Sequence, residues 1–183
     1  VVEPVRYYFP IFRYHNLWKM FFDGKKDSGY IAYKGFEIRD KAVPYEGSSQ
    51  YMEKTDATEK IPEFVYHYME DIKKMCREND AELLLVSAPS PCNYNYKKHN
   101  ALESYAKENG LPYIDLNMKT EELGINWKTN SYDKGDHLNL SGAQKVTAYM
   151  AKYLKENYSI PDHRGEKAYQ EWEELAKKFR QYL

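Results

Sequence analysis

Residues 81–91, "AELLLVSAPSP", decide the fold class. Leu83 to Val86 form a short continuous apolar run, and small residues and prolines follow it directly. Such a run is typical of a strand buried on both faces, as in a parallel sheet whose faces are covered by helices. The stretch therefore predicts a buried strand from Leu83 to Val86 that ends in a loop.

Helical patterns flank this strand on both sides. Upstream, apolar residues recur at spacings of three and four from Ile61, and Pro62 suits a first helical turn, which predicts an amphipathic helix over 61–79. Its stripe is Val65, Tyr68, Met69, Ile72, Met75 and Cys76. Downstream, Ala101, Leu102, Tyr105 and Ala106 predict a helix that Gly110 ends in a left-handed cap, and "LPYIDLN" (111–117) predicts a second strand. The alternation predicts an α/β fold with a parallel sheet.

Two more helices are predicted toward the end of the chain. Ser141 and Gln144 fit a capping box that would open one of them. Its buried stripe would be Val146, Tyr149, Met150, Tyr153 and Leu154. Ala168, Trp172, Leu175 and Phe179 step by four, three and four residues and predict a terminal amphipathic helix. We divide the chain into an α/β domain over 1–160 and this helix over 161–183, packed on the same domain.

The first 60 residues contain no confident core strand. "FRYHNLWKMFF" (12–22) predicts a short helix, and residues 23–59 predict a long surface segment with a small hairpin that turns at Gly35. Doubly wound sheets usually have about four to six strands, whereas only two are found here. Either the first 60 residues contain strands that their pattern does not reveal, or the first strands of the sheet precede Val1; we favour the second, so the sheet is expected to be incomplete at its N-terminal side.

Composition excludes several classes of function. The 183 residues suffice for one domain, and a net charge of -1 leaves no basic excess for binding nucleic acid. No apolar run approaches the ~20 residues of a membrane-spanning helix, so we expect membrane contact only through an upstream anchor not in this chain. Cys76 and Cys92 show no zinc-ligand spacing, and we predict no metal and no cofactor.

The stretch "DKGDHLNLSG" (133–142) places His137 directly before a helix. In open α/β sheets, sites form at the carboxyl ends of the strands, and a histidine in the loop before the last helix can reach that edge. Asp133 and Asp136 flank it, so one carboxylate could accept the Nδ1 proton and leave Nε2 free to take a proton from a nucleophile.

In these residues the chain resembles the SGNH/GDSL hydrolase superfamily, and in particular bacterial SGNH-like envelope proteins. The resemblance extends from "DKGDHLNLSGAQKVTAYMAKYL" through "KGFEIRDKAVPYEGSSQYM", "LLLVSAPSPCNYNYKKHNALESYAKENGLPYIDLN" and "NYSIPDHRG". It implies a flavodoxin-like parallel sheet flanked by helices, with His137 as general base and Asp133 or Asp136 as its orienting acid. In the family the acid commonly precedes the histidine by three residues, whereas here the acids precede it by four and by one. We favour Asp133, because a side chain adjacent to a histidine commonly points away from it.

The family's nucleophile serine has no convincing counterpart in these residues. Ser48 and Ser49 follow a poor strand and are explained by a solvated turn. Ser87 and Ser90 end a strand, but they lie in a proline-rich loop where packing and turn formation explain them.

The resemblance implies a serine esterase or O-acyltransferase that acts on acyl esters of cell-envelope glycans. Asn93 and Asn95 would supply an amide that contacts the substrate. The family commonly lies outside the cytoplasm, on the bacterial cell surface or anchored to the membrane, and the present residues alone are expected to be inactive. The alternative is a noncatalytic SGNH-like binding or scaffold module that lacks the nucleophile. A nucleotide- or phosphate-binding module ranks third, because no Gly-rich loop follows either strand.

Overall fold

The computed structural model describes residue 34, residues 36–48 and residues 50–183. The predicted helix over 12–22 and the turn at Gly35 lie outside these residues. Residues 36–48 and 50–62 form no helix or strand, so no hairpin is found in the described part of the predicted surface segment.

The chain divides into two compact units. One is Arg39–Ile160, and the other combines Val1–Ile38 with Pro161–Leu183. The sequence-based division into 1–160 and 161–183 stays a prediction.

Helices and strands alternate along the first unit. Its elements are α1 (Glu63–Glu78), β1 (Leu85–Ser87), α2 (Tyr96–Glu108), β2 (Tyr113–Asp115), a 3-10 helix (Leu116–Lys119) and α3 (Leu140–Asn157). The other unit contains a 3-10 helix (Lys167–Tyr169) that leads into α4 (Gln170–Tyr182). Strands β1 and β2 pair in parallel, with Ser87 beside Asp115, and α2 connects them. The predicted α/β class with a parallel sheet is therefore confirmed at this level.

The first strand begins two residues later than predicted. The prediction placed it from Leu83 to Val86, whereas the structure places it at Leu85–Ser87. The Leu85 amide donates to the Pro112 carbonyl at 3.0 Å, and β2 begins directly after this proline. The short partner strand, which follows the predicted left-handed turn at Gly110 (φ 62°), therefore sets the start of the ladder.

The core of this unit lies between the sheet and α3. Ile114, Leu116 and Leu123 are buried, and partly buried side chains pack against them: Leu84, Ile125, Val146, Tyr149, Met150 and Tyr153. Four of these come from the predicted stripe of α3, so that part of the amphipathic pattern is confirmed. The packing fixes α3, and with it the loop that immediately precedes it.

The start of α3 corrects the predicted capping box. The N-cap is Asn139, whose Oδ1 accepts from the Gly142 amide at 3.1 Å, and Ser141 lies inside the first turn. The Ser141 hydroxyl donates to the same Asn139 oxygen at 2.9 Å. A side chain on Gly142 would place its Cβ 2.8 Å from the Asn130 carbonyl oxygen. The cap therefore lies at Asn139, two residues upstream of Ser141, and the backbone packs too closely at Gly142 for a side chain.

Helix α1 packs less of its apolar stripe than predicted. Of that stripe, Tyr68, Ile72 and Met75 are exposed, whereas Val65, Met69 and Cys76 are half-buried. Helix α1 contacts α2 through other residues: the Tyr105 hydroxyl donates to Glu70 at 2.7 Å, and the Tyr105 ring meets Tyr66 edge-on at 5.7 Å. Within the described residues, no helix has both the length and the apolar character to cross a membrane.

Candidate functional site

A closed loop presents the candidate site residues before α3. Ser131 and Leu138 form an isolated antiparallel bridge, and the Tyr132 amide donates to the His137 carbonyl at 2.9 Å. Inside the loop, the fully buried Ser131 hydroxyl accepts from the Gly135 amide at 2.7 Å. We call residues 131–138 the site loop. Its closure leaves the side chains of its tip at the surface.

The tip of the site loop turns through two left-handed residues. Lys134 has φ 64° and Gly135 has φ 97°. A Cβ on Gly135 would lie 2.7 Å from the Tyr45 ring and 3.0 Å from Pro91, so glycine meets both the backbone and the packing requirement there. This turn brings Asp133 back toward His137, four residues later.

Asp133 holds His137 through two hydrogen bonds. The Asp133 Oδ2 lies 2.6 Å from His137 Nδ1, and its Oδ1 accepts from the His137 backbone amide at 2.7 Å. Because a carboxylate accepts here, Nδ1 carries the proton and Nε2 has the free lone pair. Burial acts to raise the pKa of Asp133, but the two hydrogen bonds from His137 outweigh it and hold the pKa below its usual value.

Asp136 lies farther from the ring. Its Oδ2 is 3.6 Å from His137 Nδ1, and its Oδ1 accepts a hydrogen bond from the Asn93 side-chain amide. Asn93 is therefore brought to the site loop. Asn95 instead caps α2, where its Oδ1 accepts from the Lys98 amide at 3.0 Å. Of the two asparagines predicted to bind substrate, only Asn93 contacts the site loop through its side chain in the described part of the structure.

The second ring nitrogen of His137, Nε2, can accept a proton. The His137 side chain is 60% exposed, and no hydrogen bond to its Nε2 is found among the described residues. Possible metal-ligand atoms of Asp133, Asp136 and His137 also lie within 4.8 Å of one another, which is close enough for them to share a cation. A cation at Nδ1 would have to displace the proton donated to Asp133, so the observed geometry favours acid–base chemistry.

The candidate serines are engaged elsewhere. The buried Ser87 hydroxyl is 2.9 Å from the Tyr113 hydroxyl, and the Ser48 hydroxyl accepts from the Gln50 amide at 3.0 Å. Ser90 Oγ lies 3.4 Å from the Gly135 carbonyl of the site loop. Ser49 lies outside the described residues. None of the three described hydroxyls is hydrogen-bonded to His137 in that part of the chain.

A buried polar network at the ends of the strands was missed in the sequence. Asp115 accepts from His99 Nδ1 at 2.8 Å. Asn117 accepts from the Ser90 amide at 2.9 Å and donates to the Ala88 carbonyl at 3.0 Å. The available signal was "DLN" at the carboxyl end of a strand, where polar residues commonly converge.

Asn117 links this network to the site loop. Its side chain holds the backbone of residues 88–90 in place. Two residues later, the Cys92 amide donates to the Gly135 carbonyl at 3.3 Å, and the Cys92 thiol donates to the Lys134 carbonyl at 2.8 Å. The segment after β1 therefore braces the tip of the site loop from one side.

Aromatic side chains brace the site loop from another side. The Val43 amide donates to the Ser131 carbonyl at 2.9 Å, and the Tyr45 amide donates to the Trp127 carbonyl at 3.1 Å. Tyr45 and Tyr51 each meet Trp127 edge-on, with ring centroids 6.5 and 6.3 Å apart. No periodic pattern in the sequence marks these contacts, because they join segments about 80 residues apart.

Comparisons with protein-family models, with curated proteins and with solved structures find no match.

Proposed function

We propose that this chain carries the acid–base pair of an SGNH-type serine esterase or O-acyltransferase, with His137 as general base and Asp133 as its orienting acid. The observation that carries the proposal is the two-point contact between them, at 2.6 Å to Nδ1 and 2.7 Å to the backbone amide. It fixes both the tautomer and the direction of the ring, as a catalytic base requires. On this proposal, β1 and β2 belong to a flavodoxin-like sheet.

The proposed chemistry is acyl transfer through a serine ester. His137 Nε2 takes the proton of a serine hydroxyl while the serine oxygen attacks the acyl carbonyl. The resulting imidazolium then returns that proton to the departing alcohol. Water or an acceptor hydroxyl then repeats the two steps on the acyl-serine. Asp133 keeps its charge throughout and stabilises the imidazolium. The serine would come from outside these 183 residues, and Asn93 would contribute an amide beside the reacting group.

The proposed substrate is an acyl ester on a cell-envelope glycan, handled outside the cytoplasm. This follows from the family resemblance alone.

A noncatalytic SGNH-like binding or scaffold module is the second candidate. The engagement of Ser87 with Tyr113, inside the fold, favours it, because this hydroxyl at a strand end is not presented to His137. On this alternative, the Asp133–His137 contact only stabilises the site loop.

Hydrolysis of p-nitrophenyl acetate separates the two candidates. The enzyme to assay is a longer polypeptide that carries the proposed serine block ahead of Val1, with and without His137→Ala. Loss of general base catalysis is expected to lower kcat by roughly a hundredfold or more. His163→Ala is the matched control, because His163 also contacts a carboxylate, Glu166, at 3.0 Å.

The 183 residues alone are expected to show no turnover. Hydrolysis by this chain that disappears in Ser87→Ala or Ser90→Ala would instead place the nucleophile in the loop after β1. Equal activity of the longer polypeptide with and without His137 would leave the scaffold as the function.

A further inference from the structure

An open groove lies along one side of α4, in the unit that contains the C-terminal residues. Its volume is about 670 Å³, and its walls are the loop at 163–165, Tyr169 and one face of the helix. Small-molecule sites commonly have volumes of roughly 300–1,000 Å³. The groove therefore has room for a ligand of several rings.

The floor of the groove follows one row of α4. Trp172, Ala176 and Arg180 are four residues apart and lie on the same helix face. Ala176 has a small side chain, so it leaves space between the two larger ones. Trp172 is 57% exposed, which makes its indole available for stacking.

The charge available in the groove is positive. The Arg164 guanidinium is held by Asp162 through Nε contacts of 2.8 and 3.0 Å, and Glu173 accepts a hydrogen bond from the Gly165 amide. Asp162 therefore neutralises Arg164, whereas Glu173 keeps its negative charge, because the Gly165 amide is a neutral donor. Lys177 and Arg180, one turn apart on α4, have no acidic partner within the described part of the chain. The two cations outnumber Glu173, so the lining has a net positive charge that favours an anion, although the chain as a whole carries a net charge of -1.

The cationic surroundings extend to the tryptophan. The Lys34 ammonium lies 5.2 Å from the centre of the Trp172 ring and is paired with Glu171 at 2.9 Å. A neutral apolar ligand would gain from Trp172 but nothing from Lys177 or Arg180. An anionic bilayer would gain from the cations but would meet Glu171 and Glu173 in the first turn of the same helix.

We propose that this groove binds an acidic oligosaccharide, with one sugar ring stacked on Trp172 and a carboxylate of another unit paired with Lys177 and Arg180. Trp172 and Arg180 are eight positions apart on the helix, which is about 12 Å along the axis, so a single sugar ring does not reach both. The site does not depend on the proposed acyl-transfer chemistry, because no residue of the site loop takes part in it.

Isothermal titration of the 183-residue chain tests the ligand class. The probe is a linear trimer of glucuronate, and its matched neutral counterpart is cellotriose. We expect saturable binding of the acidic trimer, with an affinity at least about tenfold higher than that of cellotriose. Equal binding of the two trimers, or no binding of either, would overturn the proposal. Equal binding of inorganic phosphate would show that the groove is a simple anion site and would overturn the proposal that it binds an oligosaccharide. Binding only to vesicles that contain phosphatidylglycerol would identify a membrane surface instead.

Charge variants of α4 test the location. Lys177→Ala combined with Arg180→Ala is expected to weaken the acidic trimer about tenfold, because both charge contacts are lost. Lys178→Ala is the control, since it removes one positive charge from the same helix outside the groove. Trp172→Phe keeps a ring in place and is expected to weaken binding by only about threefold. Thermal unfolding of each variant confirms that α4 is intact. An equal loss of affinity in Lys178→Ala would show a general effect of charge and overturn the assignment of binding to the groove.

Discussion

Two histidine–aspartate pairs in the same unit make nearly the same contact in opposite environments. His137 Nδ1 lies 2.6 Å from Asp133, and His99 Nδ1 lies 2.8 Å from Asp115. The side chains of the first pair are 60% and 33% exposed, whereas those of the second are 12% and 3% exposed. The distance alone therefore does not distinguish a site from a structural pair. Burial does, because only the exposed imidazole can meet another molecule.

Burial also decides how much each pair contributes to stability. Asp115 accepts three hydrogen bonds, one from His99 and two from the backbone and side-chain amides of Asn117, at 2.8 and 2.9 Å. Because the pair is buried, removal of this carboxylate leaves all three donors without an acceptor. Asp133 stands at a loop tip, where water can replace part of what is lost.

The largest effect is expected for Asp115→Ala. Removing one partner of a buried, fully hydrogen-bonded pair should lower the free energy of unfolding by about 3 kcal/mol. Urea unfolding followed by circular dichroism measures this change. Asp133→Ala, which removes the same group from the exposed pair, is the matched control and should cost less than about 1 kcal/mol. Similar costs for the two variants would show that burial does not separate the pairs.

Asn117→Ala is expected to have the next largest effect. Its side-chain amide joins Ser90, Ala88 and Asp115, and the loss of these buried hydrogen bonds should cost about 2 kcal/mol. Because Asn117 braces the segment that contacts Gly135, the nitrogen resonances of His137 should also shift. Asn157→Ala removes an exposed amide bonded to the Tyr153 carbonyl and should change neither quantity. Unchanged His137 resonances in Asn117→Ala would show that the network and the site loop are independent.

The sequence predicted those features of the fold and the site that depend on local pattern. Helices α1, α2 and α3 and both strands were predicted because apolar spacing and short apolar runs report local structure. The strand boundary, the cap at Asn139 and the exposed side of α1 depend on which backbone approaches which, so they were missed or shifted. The pairing of His99 with Asp115 joins a helix to a strand, and no spacing along the chain encodes it. Asp133 and His137 are four residues apart, and for that reason their contact could be anticipated.

Acid titration sharpens the comparison at the exposed pair. The folded pKa of Asp133 is below its usual value, so the carboxylate stabilises the fold above the pKa of the unfolded chain and loses this contribution as the pH falls through the folded pKa. The difference in free energy of unfolding between the wild type and Asp133→Asn should shrink as the pH falls from about 5 to below about 4. Urea unfolding at a series of pH values measures this difference.

The histidine provides the control for this titration. In a His137→Ala background, the side-chain hydrogen bond to Asp133 is absent, so the acid-dependent part of the Asp133→Asn effect should be smaller. An acid dependence of the same size in both backgrounds would assign the lowered pKa to the backbone amide or to Arg39 rather than to the imidazole.

The smallest effect on stability is expected for Asp136→Asn, and it decides which acid serves the histidine. Asp136 lies 3.6 Å from His137 Nδ1, beyond hydrogen-bond distance, and its other oxygen already accepts from Asn93. The free energy of unfolding should therefore change by less than about 0.5 kcal/mol. In proton NMR spectra, the downfield Nδ1 proton of His137 should persist in Asp136→Asn and move upfield in Asp133→Asn, because only Asp133 accepts it. If instead the resonance moves in Asp136→Asn and persists in Asp133→Asn, Asp136 is the orienting acid, and the aspartate adjacent to the histidine must turn back to reach it.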